Sequence, residues 1–313
     1  MKILNKEILA KTQDTKITGI EVYSPLIAAK AKPGQFAVLI VKPEGERIPL
    51  TIVSADKDAG SITLIFQELG FTTKLLGTLD KGDSLYSLAG PLGHPTEVKN
   101  YGKVILIGGG VGIAEIYPVA KAMKEAGNRV IAILGARTKD LVILEKELKS
   151  ASDEMLIATD DGSYGRKGFT TDILKEILNT SLRATEGSEA ISDGGIASPL
   201  ATLGARNDKE KARPRNGMLV YAVGPIPMMK LISSITKDFN VKTIVSLNAL
   251  MVDATGMCGC CRVTVDEKVK FSCIDGPEFN AHFLDWDELI RRSSMYEDKE
   301  KHICKLDKYG KGT

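Results

Sequence analysis

Between residues 2 and 97, short apolar and alternating runs are separated by turn signals. Residues 15–23 alternate, 36–41 form a compact apolar run, and 50–54 and 61–66 follow turn signals at Pro43-Glu-Gly45 and Asp58-Ala-Gly60. Runs of this length, broken by turn residues at regular intervals, predict strands and, from their spacing, a small antiparallel β-barrel. The pattern changes at residue 104. Val104-Ile-Leu-Ile107 is a continuous apolar run that enters Gly108-Gly-Gly-Val-Gly112-Ile-Ala114 and then an amphipathic stretch to about Ala126. Strand 130–134, helix 140–149, strand 155–158, helix 170–178, strand 218–223 with a helix after it, and strand 242–247 follow in turn. That alternation predicts a parallel α/β sheet. The last pattern is a hairpin: Val263 and Val265, then Val269 and Phe271, alternate on either side of Asp266-Glu267-Lys268. Residues 285–290, which hold the only tryptophan, Trp286, predict a helix packed on the last domain.

These patterns divide the chain into a barrel at 1–97, a nucleotide-type α/β domain at 98–248 and a small C-terminal domain at 249–313. Residues 179–216 interrupt the second unit. They are rich in Gly, Ser, Ala and Thr with almost no aromatic residue, which predicts a disordered insertion.

Composition adds limits. The 313 residues are 43% apolar and 26% charged, with a net charge of +2, so nothing argues for a nucleic-acid partner. No apolar run reaches the roughly 18 residues that would span a membrane. Met1-Lys-Ile-Leu-Asn-Lys has no signal-peptide core. Of five cysteines, four lie within residues 258–273, bunched as ligands rather than spread as disulfide partners. That usage predicts a reducing compartment, the cytoplasm.

The candidate chemistry sits in three places. The first is Asp253-x4-Cys258-x2-Cys261-x11-Cys273, the spacing of a [2Fe–2S] loop with aspartate in the first ligand position. A Gly-rich loop lets these side chains share one concavity, and the hairpin returns Cys273. Zinc would take the same ligands without colour, and Cys260 is an alternative fourth ligand to Asp253. The second is the strand-to-helix glycine turn Gly108, Gly109, Gly110, Val111 and Gly112. A second turn at Gly224-Pro225 suits the nicotinamide side of the same dinucleotide crevice. After strand 130–134, Arg137 and Lys139 are placed to meet a 2′-phosphate, and no acidic residue stands there for a free ribose, so the residues leave NAD and NADP both open. Asp160-Asp161-Gly-Ser-Tyr-Gly165 is a polar loop at the strand edge. The third is Arg47-Ile-Pro-Leu-Thr51 before a strand, with Gly70-Phe-Thr-Thr73 opening a helix over 74–79. Together they offer guanidinium and helix-start donors to a pyrophosphate. His94 and Cys304 are given no role.

The order of these parts resembles the ferredoxin–NADP reductase superfamily, and Ala89-Gly-Pro-Leu-Gly93 resembles its closing barrel strand. Arg47 stands four residues before Thr51, where that family's spacing is three. The resemblance implies FAD, with Arg47 and Thr73 holding the pyrophosphate and Gly70 and Thr72 among the cofactor-binding residues. It also implies Pro49, Leu50 and Thr51 along the isoalloxazine, and Ile65, Phe66 and Gln67 on the next strand. Barrel, nucleotide domain and C-terminal cluster loop is the order of the electron-transfer subunit of B-type dihydroorotate dehydrogenase. The Asp253 ligand set, with Cys273-Ile-Asp-Gly-Pro-Glu-Phe279 downstream, more closely resembles the small (alpha) subunit family of NADH-dependent reduced ferredoxin:NADP oxidoreductase, also known as a sulfide dehydrogenase subunit. This implies a relay from NAD(H) through FAD and [2Fe–2S] to a larger FAD/[4Fe–4S] flavoprotein subunit in a heterodimer. That partner binds NADP and meets ferredoxin. A relay for dihydroorotate dehydrogenase or a hydrogenase, and a colourless zinc module, are the other readings. No acid–base dyad is required, and the sequence offers none.

Overall fold

The computed structural model describes residues 1–189 and 217–296. Six strands build the first unit: β1 (Ile3–Lys11), β2 (Lys16–Tyr23), β3 (Phe36–Ile40), β4 (Ile48–Asp56), β5 (Ser61–Gln67) and β6 (Ser87–Leu92). They pair in the order β1-β2-β5-β4-β3-β6, with every pairing antiparallel. A bridge between Lys2 and Ser84, and an Ile3 N–H donating to Asp83 O at 2.8 Å, draw the two ends of this sheet together into a barrel. Alternation puts Ile20, Val22, Leu39, Ile52, Leu64 and Phe66 inside it. Two short helices complete the unit, α1 (Pro25–Ala28) and α2 (Phe71–Leu76). The second starts before the expected 74–79. The Thr73 hydroxyl accepts from the Gly70 N–H at 3.1 Å, and that capping contact sets the start at Phe71.

The second unit is the predicted α/β sheet. Its strands are β7 (Lys103–Gly109), β8 (Arg129–Ala136), β9 (Glu154–Thr159), β10 (Arg166–Lys167), β11 (Met218–Val223) and β12 (Lys242–Ser246). The hairpin β13 (Arg262–Val265) and β14 (Lys268–Phe271) follows, and β15 (Glu278–Asn280) then returns antiparallel to β12. The order is β10-β9-β8-β7-β11-β12-β15, parallel except at β15. The helices are α3 (Gly112–Glu125), α4 (Glu145–Ala151), α5 (Thr170–Glu189), α6 (Ile226–Asp238) and α7 (Trp286–Ser293). Two boundaries depart from the sequence reading. Helix α4 begins at Glu145 rather than 140, because Leu144 takes a left-handed conformation (φ 53°) that cannot continue a helix. Helix α5 runs past 178 to Glu189, carried by helix formers such as Leu182, Arg183 and Ala184. The rest of the expected insertion, 190–216, lies outside the described residues, as does Cys304.

The units share buried surfaces. The outward face of β3, Phe36 and Val38, lies in one apolar core with Leu247, Ala254, Cys261 and Cys273. Val53 and Ile65 of the barrel pack with Ile113 and Ile116 of α3. The barrel wall therefore meets both the nucleotide-type sheet and the cysteine loop. Among the described residues no helix is long and apolar enough to cross a membrane.

Candidate functional site

The pleat of β4 sorts the first candidate set. Ile48 and Leu50 pack toward the barrel core, so Pro49 and Thr51 face outward. On β5 the same rule puts Phe66 in the barrel core and Ile65 and Gln67 outside. The outward side chains Pro49, Thr51, Ile65 and Gln67 are thus available to a flat ligand, whereas Leu50 and Phe66 offer it only backbone. Thr72 is buried and its hydroxyl donates to Glu46 Oε2 at 2.5 Å. Thr73 is half-buried and folds back on Gly70, leaving the start of α2 facing outward. Arg47 does not sit alone at the edge. Its guanidinium pairs with the Asp253 carboxylate, a residue 206 positions away.

A crevice between the two glycine turns forms where the strand order reverses. β7 is flanked by β8 on one side and β11 on the other, so the turns after β7 and β11 diverge at their carboxyl ends. Gly109 and Gly224 lie against each other: a Cβ on Gly224 would come within 3.2 Å of Gly109 Cα. A Cβ on Gly108 would sit 2.7 Å from Ile113 Cα, and one on Gly112 would sit 2.6 Å from Val223 O. The backbones close in this way only because the side chains are missing. A cavity of about 700 Å³ opens there, lined by Gly109, Gly110, Val111 and Pro225 from the sheet and by Thr15 and Gln67 from the barrel. Asp160 and Arg137 also line it, and the Arg137 Nη2 donates to Thr15 Oγ1 at 2.5 Å. Lys139 instead lies over the Tyr164 ring, 5.3 Å from its centre.

The cysteine loop is wound by left-handed residues, Gly256 (φ 82°) and Gly259 (φ 68°) among them. Cys261 and Cys273 are buried with their sulfurs 3.2 Å apart. Two contacts produce this approach. The Ser272 N–H donates to Cys261 O at 3.0 Å, and Asp275 Oδ2 accepts from the Phe271 N–H at 2.7 Å, holding the end of the hairpin. Burial, then the neighbouring Cys261 thiol, pushes Cys273 up to about 12. Cys258 is exposed and Cys260 half-buried; a backbone N–H at Cys260 draws the Cys258 thiol below its ordinary range. Asp253 turns to Arg47 and to the Thr255 hydroxyl. Among the described residues no three potential ligands converge on one point as they stand; Cys261 and Cys273 form one pair, and Cys258 lies near Asp253, whose charge it feels. The donor set still suits an iron–sulfur cluster: three thiols, a carboxylate, and beside Cys273 a buried Ser272 hydroxyl without a partner.

Sequence reasoning missed three contributors. Arg292, on α7, donates from Nη2 to Cys260 O at 2.9 Å and so ties the last helix to the loop. The Tyr221 hydroxyl, buried under β11, donates to Glu278 Oε1 at 2.8 Å, and Thr96 Oγ1 reaches the same oxygen at 2.5 Å. Burial raises both the tyrosine and the glutamate above their ordinary ranges. Glu115, in the first turn of α3, accepts from Thr51 Oγ1 at 3.0 Å, and burial raises it from 4.5 to about 7. The one signal for it in the sequence was an acid inside the apolar run Gly112-Ile-Ala-Glu115-Ile. His94 joins the barrel edge to the loop through its backbone, which donates to Gly276 O at 2.7 Å.

Residues 248–285 match the iron-sulfur cluster binding domain of dihydroorotate dehydrogenase B. A Thermotoga maritima protein described as a homolog of the dihydroorotate dehydrogenase B (NAD(+)) electron transfer subunit is 42% identical over 280 residues, spanning 90% of this chain and 87% of the relative. The subunit of that name from Geobacillus sp. (strain WCH70) is 32% identical over 265 residues, 82% of this chain and 88% of its own. A structure solved for the NADH-dependent reduced ferredoxin-NADP oxidoreductase, in work on flavin-based electron bifurcation, is 39% identical and superposes with a TM-score of 0.78 over 96% of this chain and 95% of its own. Plasmodium falciparum ferredoxin-NADP+ reductase shares the fold at 13% identity, with a TM-score of 0.54 over 77% of this chain and 92% of its own. An antiparallel barrel, an α/β sheet with its crevice and a cysteine loop stand here in one order, and with these similarities the chain belongs to the family of dihydroorotate dehydrogenase B electron transfer subunits and their homologs.

Proposed function

We propose that this chain is an electron-relay subunit that takes reducing equivalents from NADH and passes them singly to a larger flavoprotein subunit. Bound FAD would supply the exchange between two-electron and one-electron chemistry, and a [2Fe–2S] cluster would supply the single-electron exit. The observation that carries this reading is adjacency. Arg47, at the head of the expected flavin strand, grips Asp253, at the head of the expected cluster loop, and β3 packs its outer face on Cys261 and Cys273. The residues then have defined tasks. Pro49 and Thr51 present the outward face of β4, Arg47 and the Thr73 helix start offer donors to phosphate, and Gly108, Gly109, Gly110, Val111 and Gly112 admit the dinucleotide. Gly224 and Pro225 border its nicotinamide end. Arg137 lines the crevice, and the names of the relatives, with NAD(+) and NADH in them, favour NAD over NADP. The clustered thiols suit a reducing compartment, the cytoplasm.

Anaerobically purified complex, titrated with NADH and followed by visible and electron paramagnetic resonance spectroscopy, is expected to lose flavin absorbance and gain a reduced [2Fe–2S] signal. Material without iron and acid-labile sulfide sinks the relay. The co-purified partner separates a ferredoxin–NADP system from a dihydroorotate dehydrogenase, the second reading that the relatives favour. At the ligand level, Asp253→Cys is expected to keep the cluster and move its midpoint potential, because thiolate is softer than carboxylate. An unchanged midpoint and spectrum would show that Asp253 is no ligand and hand the position to Cys260.

A further inference from the structure

Arg47 and Asp253 each have a ligand assigned above, and each already holds the other. The Arg47 Nη1 donates to the Asp253 carboxylate and lies 3.5 Å from the Asp253 carbonyl oxygen. The Thr255 hydroxyl donates to the second carboxylate oxygen. Both oxygens of Asp253 thus have donors, and among the described residues Arg47 pairs with no other carboxylate. The adjacent acid is engaged elsewhere, since Glu46 accepts from Thr72. The pair can part. Its side chains are 46% and 22% exposed, so water screens it and its strength is that of a surface ion pair. While it holds, each member is a poorer host. A guanidinium satisfied by a carboxylate has fewer donors and less charge for a phosphate, and a carboxylate beside a guanidinium has less negative charge for a metal ion.

We propose that this ion pair couples the loading of flavin and cluster. A pyrophosphate that draws Arg47 away frees Asp253 for iron, and iron that takes Asp253 frees Arg47 for the pyrophosphate. The inference rests on the relay reading above, which puts FAD at Arg47 and the cluster at Asp253. No proton or electron moves in this exchange. The free energy of the ion pair is lost once, to whichever group binds first, and the second meets a residue already released. Linkage makes the effect reciprocal: the factor by which FAD tightens the cluster is the factor by which the cluster tightens FAD. For an exposed ion pair it amounts to about two- to five-fold, too little to empty a site at saturating cofactor. The sign carries the function. Positive coupling favours chains that hold both groups over chains that hold one, and a chain with flavin alone has no single-electron exit. An Arg47 that stayed on Asp253 throughout would give no such coupling.

The test measures FAD affinity on the full chain after anaerobic chelation of its iron, by the quenching of flavin fluorescence. Asp253→Asn removes the competitor and is expected to tighten FAD by about two- to five-fold. Made in an Arg47→Gln background, the same change should leave FAD affinity where Arg47→Gln alone puts it, because the effect passes through the guanidinium. No tightening in the first case overturns the proposal. Equal tightening in both overturns it as well, since that is only the loss of a negative charge near the phosphates. The reciprocal arm leaves Asp253 in place. At fixed sulfide, the iron concentration that half-forms the cluster should be lower with saturating FAD than without, and Arg47→Gln should remove the difference. Equal iron midpoints in the wild type overturn the proposal, and should Asp253→Asn fail to fold, this arm decides alone. A wild-type chain that takes up no FAD, or no iron and sulfide, refutes the relay reading itself and the proposal with it. Uptake of both without coupling refutes the proposal alone.

Discussion

Cys261→Ser abolishes the iron–sulfur chromophore and leaves flavin content close to that of the wild type. The expectation follows from where Cys261 sits. It is the residue at which three structures meet: the ligand loop, the hairpin that delivers Cys273 at 3.2 Å, and the apolar core shared with Phe36 and Val38 of the barrel. A serine hydroxyl is a harder and far less acidic ligand than a thiol, and in this site it would also be a buried polar group without a partner. The first effect removes the ligand, and the second costs about 1–3 kcal/mol locally. Iron and acid-labile sulfide should fall to roughly a tenth of wild type or less, because even residues that only support metal ligands cost 10–100-fold in affinity when replaced. Flavin should stay, since Thr51 and Thr73 are held by a separate barrel core of Ile20, Leu39, Leu64 and Phe66. Cys260→Ser is the control: its carbonyl, not its thiol, receives Arg292. Full iron content in Cys261→Ser would remove the buried cysteine pair from the ligand set, and iron loss in Cys260→Ser would put Cys260 into it.

Much of this arrangement was legible in the residues, and the reasons for the rest are physical. The barrel strands from residue 16 onward show as short apolar or alternating runs between turn signals, because one face fills the barrel and much of the other packs on the neighbouring unit. β1 does not show, since Asn5, Lys6, Glu7 and Lys11 give it a polar surface and few buried positions. The glycine turns were readable because close backbone approach leaves only glycine at Gly108 and Gly112. Cysteine spacing named Cys261 and Cys273 as neighbours, since a loop and the hairpin after it are local. What could not be read is long-range. Arg47 meets Asp253 across 206 residues and Thr51 meets Glu115 across 64, and neither residue announces in its own surroundings which partner the fold will bring. The same holds for Tyr221 and Glu278, joined only because β15 returns beside β12, next to β11.

Gly112→Ala separates a structural requirement of the crevice from mere preference. Gly112 is the first residue of α3, and the methyl group of alanine would be placed 2.6 Å from Val223 O, 2.9 Å from Val223 C and 3.2 Å from Gly224 N. All three are backbone atoms at the end of β11, so no side chain can swing aside. Helix and strand must part instead, and overpacking of this kind costs about 1–3 kcal/mol. The same movement pulls Gly224-Pro225 away from Gly109 and widens the crevice at the end proposed for the nicotinamide. Thermal unfolding of the α/β unit should shift down by about 2–4 °C for each kcal/mol lost, and NADH should bind roughly tenfold more weakly if about 1.4 kcal/mol of contact goes with it. Gly19→Ala gives the comparison. Its added methyl group would meet nothing nearer than Leu9 Cδ1 at 3.5 Å, an ordinary contact on β2, and both measurements should stay at wild-type values. If Gly112→Ala also left both unchanged, the end of β11 would be able to yield, and the close approach of these two turns would not be what shapes the nucleotide site.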